Sequence, residues 1–585
     1  MPLQEPERVK TDVLIIGAGL AGCRAAIAAA EQGAKDVLIL SKGPFMVSGS
    51  SFYPWAYGVG LSAVIPGGHP KDSKEVHFQD VMAAGRDTCD HRLVRILVDE
   101  APDRLLELPR FGIELPSVKR NLDPNQRGAC FNTYPRGDTP RTKAMRQGLP
   151  PTLSRLGIPV RDRVMVAALL GGPEGCRGAL AIDATGRPIV IHAKATILAT
   201  GGASPVFAHY LDTHELTGDG YALALRLGAA LTNIEFFQIT WQVVHPAGGI
   251  LPNDVNLYNN PAMMGKCPRF YNGKGEEFFH RYLPADVTLM ECVNERVWQG
   301  PFSTRLKSKW FDIGIFSEIA AGRGTEHDGV WADFRGLVPE PMFKSDHYIV
   351  ADRWKRKVID VWNDLAELSL FVHAFNGGVR ICEDGQSSVP RLYACGEVSG
   401  GMHSADRLGG MAFASTQVFG RRAGMAAAER AANDPAPAPD EAQVQAELKA
   451  IERQLSLGSG PRPSEVRKKI QQVMWQRAMI CKTEAGLTEC LETLEEVWER
   501  DIPVVSPQSR LELFSALELR NLWQTARLIA DVSRQRRESR GPHHRADYPE
   551  PDPQYAGSYL IELANQPAPA ERIEYRTRLV NLNEV

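Results

Sequence analysis

The strongest constraint on the fold is a βαβ unit at residues 12–42, which reads DVLIIGAGLAGCRAAIAAAEQGAKDVLILSK. An apolar β run leads into a glycine-rich turn, an alanine-rich helix follows, and a second β run closes the unit. Gly17 permits the tight turn, Gly19 lets the backbone approach a pyrophosphate, and Gly22 lets the helix pack close to the strand. Because the N-terminus of the helix then faces the phosphates, the unit predicts a dinucleotide-binding domain.

Two later features bear on this prediction. A β run at residues 194–204 also turns on glycines, and Asp219 lies between two glycines where a helix is predicted to begin. An acid in that place can accept hydrogen bonds from sugar or ribityl hydroxyls. The second strand of the βαβ unit ends in Ser41 and Lys42, where many dinucleotide folds carry an acid that binds the ribose. This departure leaves the identity of the dinucleotide open.

Composition divides the 585 residues into several parts, as expected for a length that exceeds one hydrophobic core. Residues 1–239 hold the dinucleotide features, residues 240–350 carry dispersed Trp, Phe, Lys and Pro, and dinucleotide features return in residues 351–432. Residues 433–585 begin with a Pro/Ala linker and continue with the apolar spacing of amphipathic helices. The sequence therefore predicts a discontinuous dinucleotide-binding domain, an inserted domain and a C-terminal helical domain.

Charge, hydropathy and cysteine content exclude several classes of function. A formal net charge of -3 gives no electrostatic argument for binding nucleic acid. The N-terminal residues lack the pattern of a secretory signal, and no apolar run approaches the roughly 20 residues that cross a bilayer. Ten cysteines without a C-x-x-C pair argue against a metal site, an iron–sulfur cluster and a disulfide framework. We therefore expect a cytoplasmic protein with reduced thiols and no membrane span.

Several short motifs are spread over nearly the whole chain, in the order GAGLAG, SKGP…GSSFY, ATGG, TGDGYALA, HAFNGGV, LYACGEVSGGMHSADRLGG, VFGRRAG and RRESRGPHHRADYP. This series resembles the flavoprotein subunit family of succinate dehydrogenase, fumarate reductase and L-aspartate oxidase. The resemblance implies an α/β fold in which a Rossmann-like FAD-binding domain carries an inserted α+β capping domain and a C-terminal helical domain. It also implies an FAD-dependent oxidoreductase that transfers hydride between the flavin N5 and a carbon next to a carboxylate or similar acceptor.

The resemblance assigns FAD contacts to residues in several of these motifs. They are Gly17, Ala18, Gly19, Leu20, Ala21, Gly22, Ser41, Lys42, Ser50, Ser51, Gly58, Thr200, Gly201, Asp219, Glu397, Ala412 and Phe413. The last two replace an Asn-Ser-Leu stretch of the family, so only their backbone contacts are implied. Succinate dehydrogenases bond the flavin through a histidine in a Ser-His-Thr stretch, which reads VSGSSFYPWAYG here. Because no imidazole is available, the resemblance implies noncovalent FAD.

On the substrate side, the resemblance points to three catalytic residues. Arg407 in HSADRLGG matches the family's substrate-carboxylate arginine, and a planar guanidinium suits a carboxylate. His373 in HAFNGG matches the substrate histidine, a donor to a carboxylate or to developing negative charge. His245 is the histidine of a His-Pro pair that lies five residues beyond the family position. We predict a small carboxylate-bearing substrate; the alternative for Arg407 is a structural ion pair with Asp406 or Glu397.

The family's proton-transferring arginine has no counterpart. It stands five residues before the glutamate of a helix that ends Glu-Ile-x-x-Gly-Arg-Gly, and SEIAAGRG at residues 317–324 preserves that ending. Counting back from Glu318 gives Ile313, which cannot move a proton. Either another group serves, or the substrate is oxidised at an amine or hydroxyl carbon, or catalysis has been lost. Candidates for another group are Arg305, Lys307, Lys309 and Tyr271.

Two alternatives to an oxidoreductase of this kind stay open. One is an electron-transfer flavoprotein subunit, which would need an iron–sulfur partner because the chain has no cluster motif of its own. The other is a non-catalytic FAD-binding scaffold, which Ile313 suggests. For Glu538, Arg540 and Arg545 in the last motif we predict a structural role, tying the helical domain to the FAD domain.

Overall fold

A computed structural model gives the fold of most of the chain. The residues that it describes are 3–52, 60–115, 131–134, 136–137, 142–245, 267–298, 301–333, 335, 360, 363–455 and 459–584. The described strands are β1 (Glu7–Ile16), β2 (Val37–Ser41), β3 (Val160–Asp162), β4 (Val164–Gly172), β5 (Gly175–Asp183), β6 (Pro188–Leu198), β7 (Leu231–Thr232), β8 (Phe237–His245), β9 (Arg269–Tyr271), β10 (Val330–Asp333), β11 (Ala366–Phe375), β12 (Gly378–Arg380), β13 (Leu392–Ala394), β14 (Ser399–Gly400), β15 (Ser558–Leu563) and β16 (Tyr575–Val580). The described α-helices are α1 (Leu20–Glu31), α2 (Lys74–Gly85), α3 (His91–Leu106), α4 (Thr142–Arg155), α5 (Asp219–Leu227), α6 (Leu289–Trp298), α7 (Lys309–Ala320), α8 (Met411–Asn433), α9 (Glu441–Leu455), α10 (Pro463–Ala478), α11 (Glu484–Glu496) and α12 (Leu513–Gln535).

The first sheet has the strand order β3-β2-β1-β6-β5-β4, with β13 also paired to β6. β1 runs parallel to β2 and β6, and its last four residues, Val13 to Ile16, are buried. Such a continuous apolar run is typical of a parallel strand covered on both faces. The alanines of α1 let α8 approach closely: a Cβ added at Gly424 would collide with the carbonyl oxygen of Ala25. The βαβ prediction is therefore confirmed, and the sheet places its glycine turn at the carboxyl end of β1.

The second sheet is antiparallel, with the order β8-β11-β10-β9. It begins at Phe237, and its long strand β11 reaches Phe375. The sheet thus takes strands from both sides of the predicted 240–350 segment, because β11 returns beside β8 with Val372 opposite Ile239. Helix α7 packs on this sheet through Phe311 against Trp241. Strand β8 thus leads from the FAD-binding part into the capping part, and β11 leads back.

The third sheet, with the order β14-β12-β7-β15-β16, joins distant parts of the chain. Strand β7 pairs with β12 on one side and with β15, near the C-terminus, on the other. The C-terminal part is therefore not purely helical, since a β hairpin follows the four helices α9 to α12. Within the described ranges, no helix is long and apolar enough to cross a membrane.

A buried ion cluster ties the C-terminal part to the preceding domain. Arg536 Nε donates to Glu235 Oε1 at 2.8 Å and its Nη1 donates to Glu538 Oε1 at 2.9 Å. Arg540 Nε donates to the same Glu538 oxygen at 2.7 Å, and its Nη1 donates to the carbonyl of Arg86 at 2.8 Å. Arg545 pairs with the Asp547 carboxylate through two N–H groups. These contacts are structural, as the motif analysis predicted for this segment.

Candidate active site

The glycine turn after β1 forms a cradle in which side chains would clash. Gly17 has a φ of +113°, and a Cβ there would collide with the carbonyl oxygen of Ala199. A Cβ at Gly22 would collide with the Gly17 carbonyl. Helix α1 starts after Gly19 without a side-chain cap, and Leu20 N donates to Ser51 Oγ at 3.2 Å. A helix N-terminus that begins at a glycine, with no side chain of its own to cap it, fits a dinucleotide pyrophosphate.

A second loop, after β6, brings Thr200 and Gly201 beside this turn. Gly201 has a φ of +76°, and a Cβ at Gly202 would collide with the Glu397 carboxylate. Glu397 Oε1 accepts a hydrogen bond from Phe375 N at 2.8 Å. Burial and the nearby Asp212 carboxylate raise the pKa of Glu397 to about 8, against the opposing charge of Arg407. Glu397 therefore carries a proton near neutral pH.

Asp212 is a second acid of the site, only partly buried, and the sequence did not reveal it. Ser50 Oγ donates to its Oδ1 at 2.5 Å, and Ser204 Oγ donates to its Oδ2. Burial raises the pKa of Asp212 to about 6, while the two hydroxyls and the charge of Arg407 lower it. Asp212 stands between the ATGG and TGDG motifs, where no local pattern marks it. Folding alone brings it to Ser50.

The predicted FAD contacts Lys42 and Asp219 bind each other. Lys42 Nζ donates to Asp219 Oδ2 at 2.6 Å, to Thr217 Oγ1 at 2.9 Å and to Glu518 Oε2 at 2.9 Å. Burial opposes the charged form of Lys42, but Asp219 and Glu518 outweigh it and raise its pKa. Asn521 Nδ2 donates to Asp219 Oδ1 at 2.8 Å. The ammonium group thus has no proton left for a ligand, whereas the Asp219 carboxylate keeps acceptor capacity.

Arg407 lies close enough to Glu397 for its charge to lower the pKa of that acid. Its Nη2 donates to Gln238 Oε1 at 2.5 Å, and Gln238 Nε2 donates to the Arg407 carbonyl at 3.1 Å. Burial and the charge of Arg407 lower the pKa of His373 to about 4, so its imidazole is neutral. Asp406, the neighbouring acid, accepts a hydrogen bond from Ser303 Oγ at 2.8 Å. The site thus combines a held guanidinium, a neutral imidazole and two partly buried acids.

Comparison with known proteins gives this arrangement a family. The FAD binding domain family matches residues 12–412, and the fumarate reductase flavoprotein C-terminal family matches residues 467–584. A fumarate reductase (CoM/CoB) subunit of Methanothermobacter marburgensis is 34% identical, over 96% of this chain and 99% of that protein. The chain belongs to the fumarate reductase and succinate dehydrogenase flavoprotein family. It is an FAD-dependent oxidoreductase, and its glycine cradle fits that cofactor.

Further members of the family agree with this assignment. L-aspartate oxidase of Nostoc sp. PCC 7120 is 27% identical, over 94% of this chain and 93% of that protein. Among solved structures, Mycobacterium smegmatis Sdh1 in complex with UQ1 superposes with a TM-score of 0.83 at 29% identity, over 98% of this chain and 94% of that chain. The similarity therefore covers the FAD-binding, capping and C-terminal parts together.

The structure does not bring His245, the third predicted catalytic residue, to Arg407. His245 is exposed at the end of β8, and its ring stacks on His327 with 4.1 Å between centroids. It lies seven residues along the strand from Gln238, the partner of Arg407. At about 3.3 Å per residue this separation is roughly 23 Å.

The helix ending that resembles the family's proton-transfer region is a structural feature here. Glu318 Oε1 accepts a hydrogen bond from Tyr282 Oη at 2.6 Å, and its Oε2 accepts one from Arg323 Nε at 2.9 Å. Although burial opposes it, Arg323 and Tyr282 hold the pKa of Glu318 low, at about 2. Ile313, five residues earlier on the same helix, is buried. No proton-transfer group stands at that position.

The other predicted proton-transfer groups lie in different settings. The Arg305 guanidinium is 4.4 Å from the ring centroid of Phe131, and its charge favours ionised Asp406. Lys307 Nζ donates to Glu291 Oε1 at 2.7 Å. Lys309 Nζ lies 5.2 Å from the ring centroid of Trp310, and Tyr271 ends β9. Of the four, Arg305 interacts with the residue next to Arg407.

The remaining predicted FAD contacts are placed as follows. Ala412 and Phe413 lie in the first turn of α8, whose preceding residue, Gly410, has a φ of +80° and provides no side-chain cap. Ser41 Oγ donates to the Gly43 carbonyl at 2.9 Å, so its hydroxyl is turned into its own loop. Gly58 lies outside the described residues. Ala18 and Ala21 lie in the cradle itself, on either side of Gly19.

Proposed function

We propose that this enzyme transfers hydride to or from a small carboxylate-bearing substrate, whose carboxylate is held by Arg407 and His373. The observation that carries the proposal is the reciprocal pair of hydrogen bonds between Arg407 and Gln238 next to the neutral His373. FAD, when bound, supplies the hydride acceptor or donor at the flavin N5. The protein supplies the orientation of the substrate and the control of its charge.

Gln238 prepares Arg407 for a planar anion. Gln238 accepts from one terminal nitrogen of the guanidinium and also donates to the Arg407 carbonyl, so one residue holds both the side chain and the backbone of Arg407. A guanidinium whose rotation is already restricted loses less conformational freedom when it binds a carboxylate with two parallel hydrogen bonds. This arrangement favours a carboxylate over a neutral carbonyl group.

His373 contributes a hydrogen bond without a positive charge. Because its pKa is lowered to about 4, it is neutral at physiological pH and has one N–H to donate. A neutral imidazole stabilises developing negative charge on an oxygen by that hydrogen bond. We assign it to the substrate oxygen that gains charge, while Arg407 keeps the carboxylate in place.

The proton of the reaction has a new candidate carrier. Asp212 and Glu397 are partly buried, the charge of Arg407 acts on both, and the Asp212 carboxylate raises the pKa of Glu397. With pKa values of about 6 and about 8, the pair holds one proton over the physiological range. We propose this pair, as a candidate in addition to Arg305, for the proton transfer that Ile313 cannot perform.

For the cofactor we propose noncovalent FAD, with its pyrophosphate at the N-terminus of α1 and near Ser51. Glu397 and Asp219 are proposed as acceptors for hydroxyl or ring N–H groups. Lys42 serves through Asp219, since its own three N–H bonds are made within the protein. Mass spectrometry of the acid-precipitated protein tests the attachment, because noncovalent FAD stays in the supernatant.

The proposed reaction is tested by the absorbance of the bound flavin under anaerobic conditions. Succinate and L-aspartate are added to the oxidised protein, and fumarate to protein reduced with dithionite. Bleaching or reoxidation supports a dicarboxylate substrate, and Arg407→Ala should abolish the response while FAD remains bound. Arg422→Ala, which removes a half-buried ion pair with Glu100 and a hydrogen bond to the Glu383 carbonyl, is the control. A response unchanged by Arg407→Ala contradicts the proposal.

A second candidate function is that of an electron-transfer subunit with an iron–sulfur partner. The relative from Methanothermobacter marburgensis is by its name one subunit of a larger fumarate reductase, which favours such a partner. Affinity purification from the native host tests this candidate. Recovery of a cysteine-rich protein with iron–sulfur absorbance, reduced together with the flavin, supports it, and recovery of the flavoprotein alone contradicts it.

A further inference from the structure

The sugar side of the predicted FAD site is completed by the C-terminal part of the chain. Lys42 follows directly after β2, Asp219 begins α5, and Glu518 and Asn521 lie three residues apart on α12. Residues at that spacing share one face of a helix. Glu518 is 476 residues from Lys42 in the chain, and Asn521 is 302 residues from Asp219. One helical face thus reaches both groups.

The charges of this cluster balance only when α12 is present. Lys42 lies between the carboxylates of Asp219 and Glu518, at 2.6 Å and 2.9 Å. Glu518 also accepts a hydrogen bond from Arg467 Nη1 at 2.9 Å, which gives two positive and two negative groups. Loss of one member of a buried ion cluster leaves an uncompensated charge. Without Glu518, Lys42 would depend on Asp219 alone.

Asn521 fixes the direction of the Asp219 carboxylate. Oδ2 of Asp219 accepts from Lys42 and, at 3.2 Å, from Thr217 Oγ1, whereas Oδ1 accepts from Asn521 Nδ2 at 2.8 Å. A carboxylate oxygen can accept two hydrogen bonds, so Oδ1 retains one position for a ligand. Gly218 has a φ of +78°, which allows the tight turn before Asp219. The Asp219 carboxylate is therefore held in one orientation, and its Oδ1 can accept one further hydrogen bond from a ligand.

We infer that Glu518 and Asn521 are positioning residues for FAD, acting through Lys42 and Asp219 without touching the cofactor. This inference rests on the proposed contact between Asp219 and an FAD hydroxyl. It makes tight FAD binding depend on the docking of α12 against the dinucleotide-binding domain. Without Glu518, Lys42 has only the Asp219 carboxylate as a charged partner, and Asp219 shifts toward it. Without Asn521, Oδ1 of Asp219 loses the hydrogen bond that orients it.

The test is the rate of FAD release from the holoenzyme, followed by the recovery of flavin fluorescence after dilution, together with the Kd of FAD for the deflavinated protein. We expect Asn521→Ala to weaken FAD binding about fivefold, the value of one hydrogen bond, and Glu518→Gln to weaken it about tenfold or more. Glu518→Asp, which restores the charge, should recover part of the affinity. Gln535→Ala on the same helix removes hydrogen bonds to Thr577 and Asp531 and should leave the Kd unchanged.

A merely structural role predicts a different result. In that case the melting temperatures of holo- and apoprotein fall together and the Kd stays within twofold of the parent, which overturns the inference. Should Glu518→Gln fail to fold, Asn521→Ala, which removes no charge, decides. Asp219→Ala tests the proposed contact on which the inference rests, and an unchanged Kd in that variant overturns both. The substrate assignment is unaffected, because the FAD measurements involve no substrate.

Discussion

Arg407 and Gln238 hold each other through two hydrogen bonds of opposite direction, 2.5 Å from Nη2 to Oε1 and 3.1 Å from Nε2 to the Arg407 carbonyl. The charge of Arg407 is permanent, so the carboxylate-binding role that we propose for it depends on geometry. Gln238 lies in β8 and Arg407 in the loop before α8, so this pair connects the capping sheet to the FAD-binding part.

The pair predicts distinct effects for two conservative changes. Arg407→Lys keeps the charge and loses the planar fork, so we expect substrate affinity to fall about 10- to 100-fold. Gln238→Leu removes both hydrogen bonds between Gln238 and Arg407, and we expect about a tenfold loss of substrate affinity, the value of one or two hydrogen bonds. Substrate-induced changes in flavin absorbance measure both. Equal affinity in the parent and Gln238→Leu would show that Gln238 does not orient Arg407.

Gly19→Val should prevent FAD binding. The backbone at Gly19 is extended, with a φ of -72°, so valine meets no conformational penalty there. Its side chain instead occupies the space at the N-terminus of α1 through which a pyrophosphate must approach. We expect colourless protein whose circular dichroism matches that of deflavinated parent. Full retention of FAD in this variant would place the pyrophosphate elsewhere.

Substrate binding should weaken as the pH rises. The pKa values of Asp212 and Glu397 are raised to about 6 and about 8, and a bound carboxylate adds negative charge beside them. Binding therefore takes up a proton above the pKa of Glu397, and the apparent Kd should rise up to about tenfold per pH unit beyond pH 8. Titration calorimetry in buffers of different ionisation enthalpy counts the proton. Glu397→Gln should flatten the profile, and a flat profile in the parent refutes this coupling.

Lys482→Met should stabilise the protein. The Lys482 side chain is fully buried, with its Nζ 5.2 Å from the ring centroid of Phe237 and no hydrogen-bond partner among the described residues. Burial, together with the charge of Arg545, lowers its pKa to about 7. Removing an unsatisfied buried amine should raise the free energy of unfolding by about 1–3 kcal/mol at pH 7, as measured by thermal unfolding.

The pH dependence of that gain gives an independent check. Between pH 7 and 10.5 the unfolded chain binds more protons at Lys482 than the folded chain, so the stability of the parent rises with pH in this window. The advantage of Lys482→Met should therefore shrink from pH 7 to pH 9.5. Lys469→Met, at an exposed pair with Asp501, is the control and should show neither effect. An advantage that grows with pH would contradict the assignment.

Ile313→Arg should unfold the capping part without creating a proton donor. Ile313 is only 7% exposed, within a helix that packs on the capping sheet. A buried guanidinium without a partner costs several kcal/mol. We expect a large fall in melting temperature, whereas Lys309→Arg on the same helix should be neutral. A stable Ile313→Arg variant with increased turnover would restore the interpretation of residue 313 as the proton-transfer position.

Local patterns predicted the parts of the molecule that local sequence controls. The βαβ unit at residues 12–42 has its periodicity, turn glycines and helix in one continuous stretch, so its fold and cradle could be predicted directly. The family motifs extended this prediction to Arg407 and His373. The position of His245 could not be predicted. The His-Pro pair is displaced by five residues, and each residue of an extended strand moves a side chain about 3.3 Å farther from the site.

The rest of the site depends on contacts between distant segments. Asp212 becomes notable only because Ser50 and Ser204 converge on it. Glu518 and Asn521 look like polar positions of an amphipathic helix, and nothing in the sequence names Lys42 and Asp219 as their partners. The pairing of β15 with β7 is equally invisible, since each strand is short and the pairing spans more than half of the chain.

The pairing of β7 with β15 determines which parts of the fold can form while the chain is still being synthesised. A ribosome releases β7 and Lys42 long before β15 and α12, because synthesis proceeds from the N-terminus at about 5–20 residues per second. The third sheet and the cluster around Asp219 therefore stay incomplete until the final segment has emerged. A nascent chain can form the glycine cradle early, but by our inference it binds FAD tightly only after translation has passed α12, which ends at Gln535.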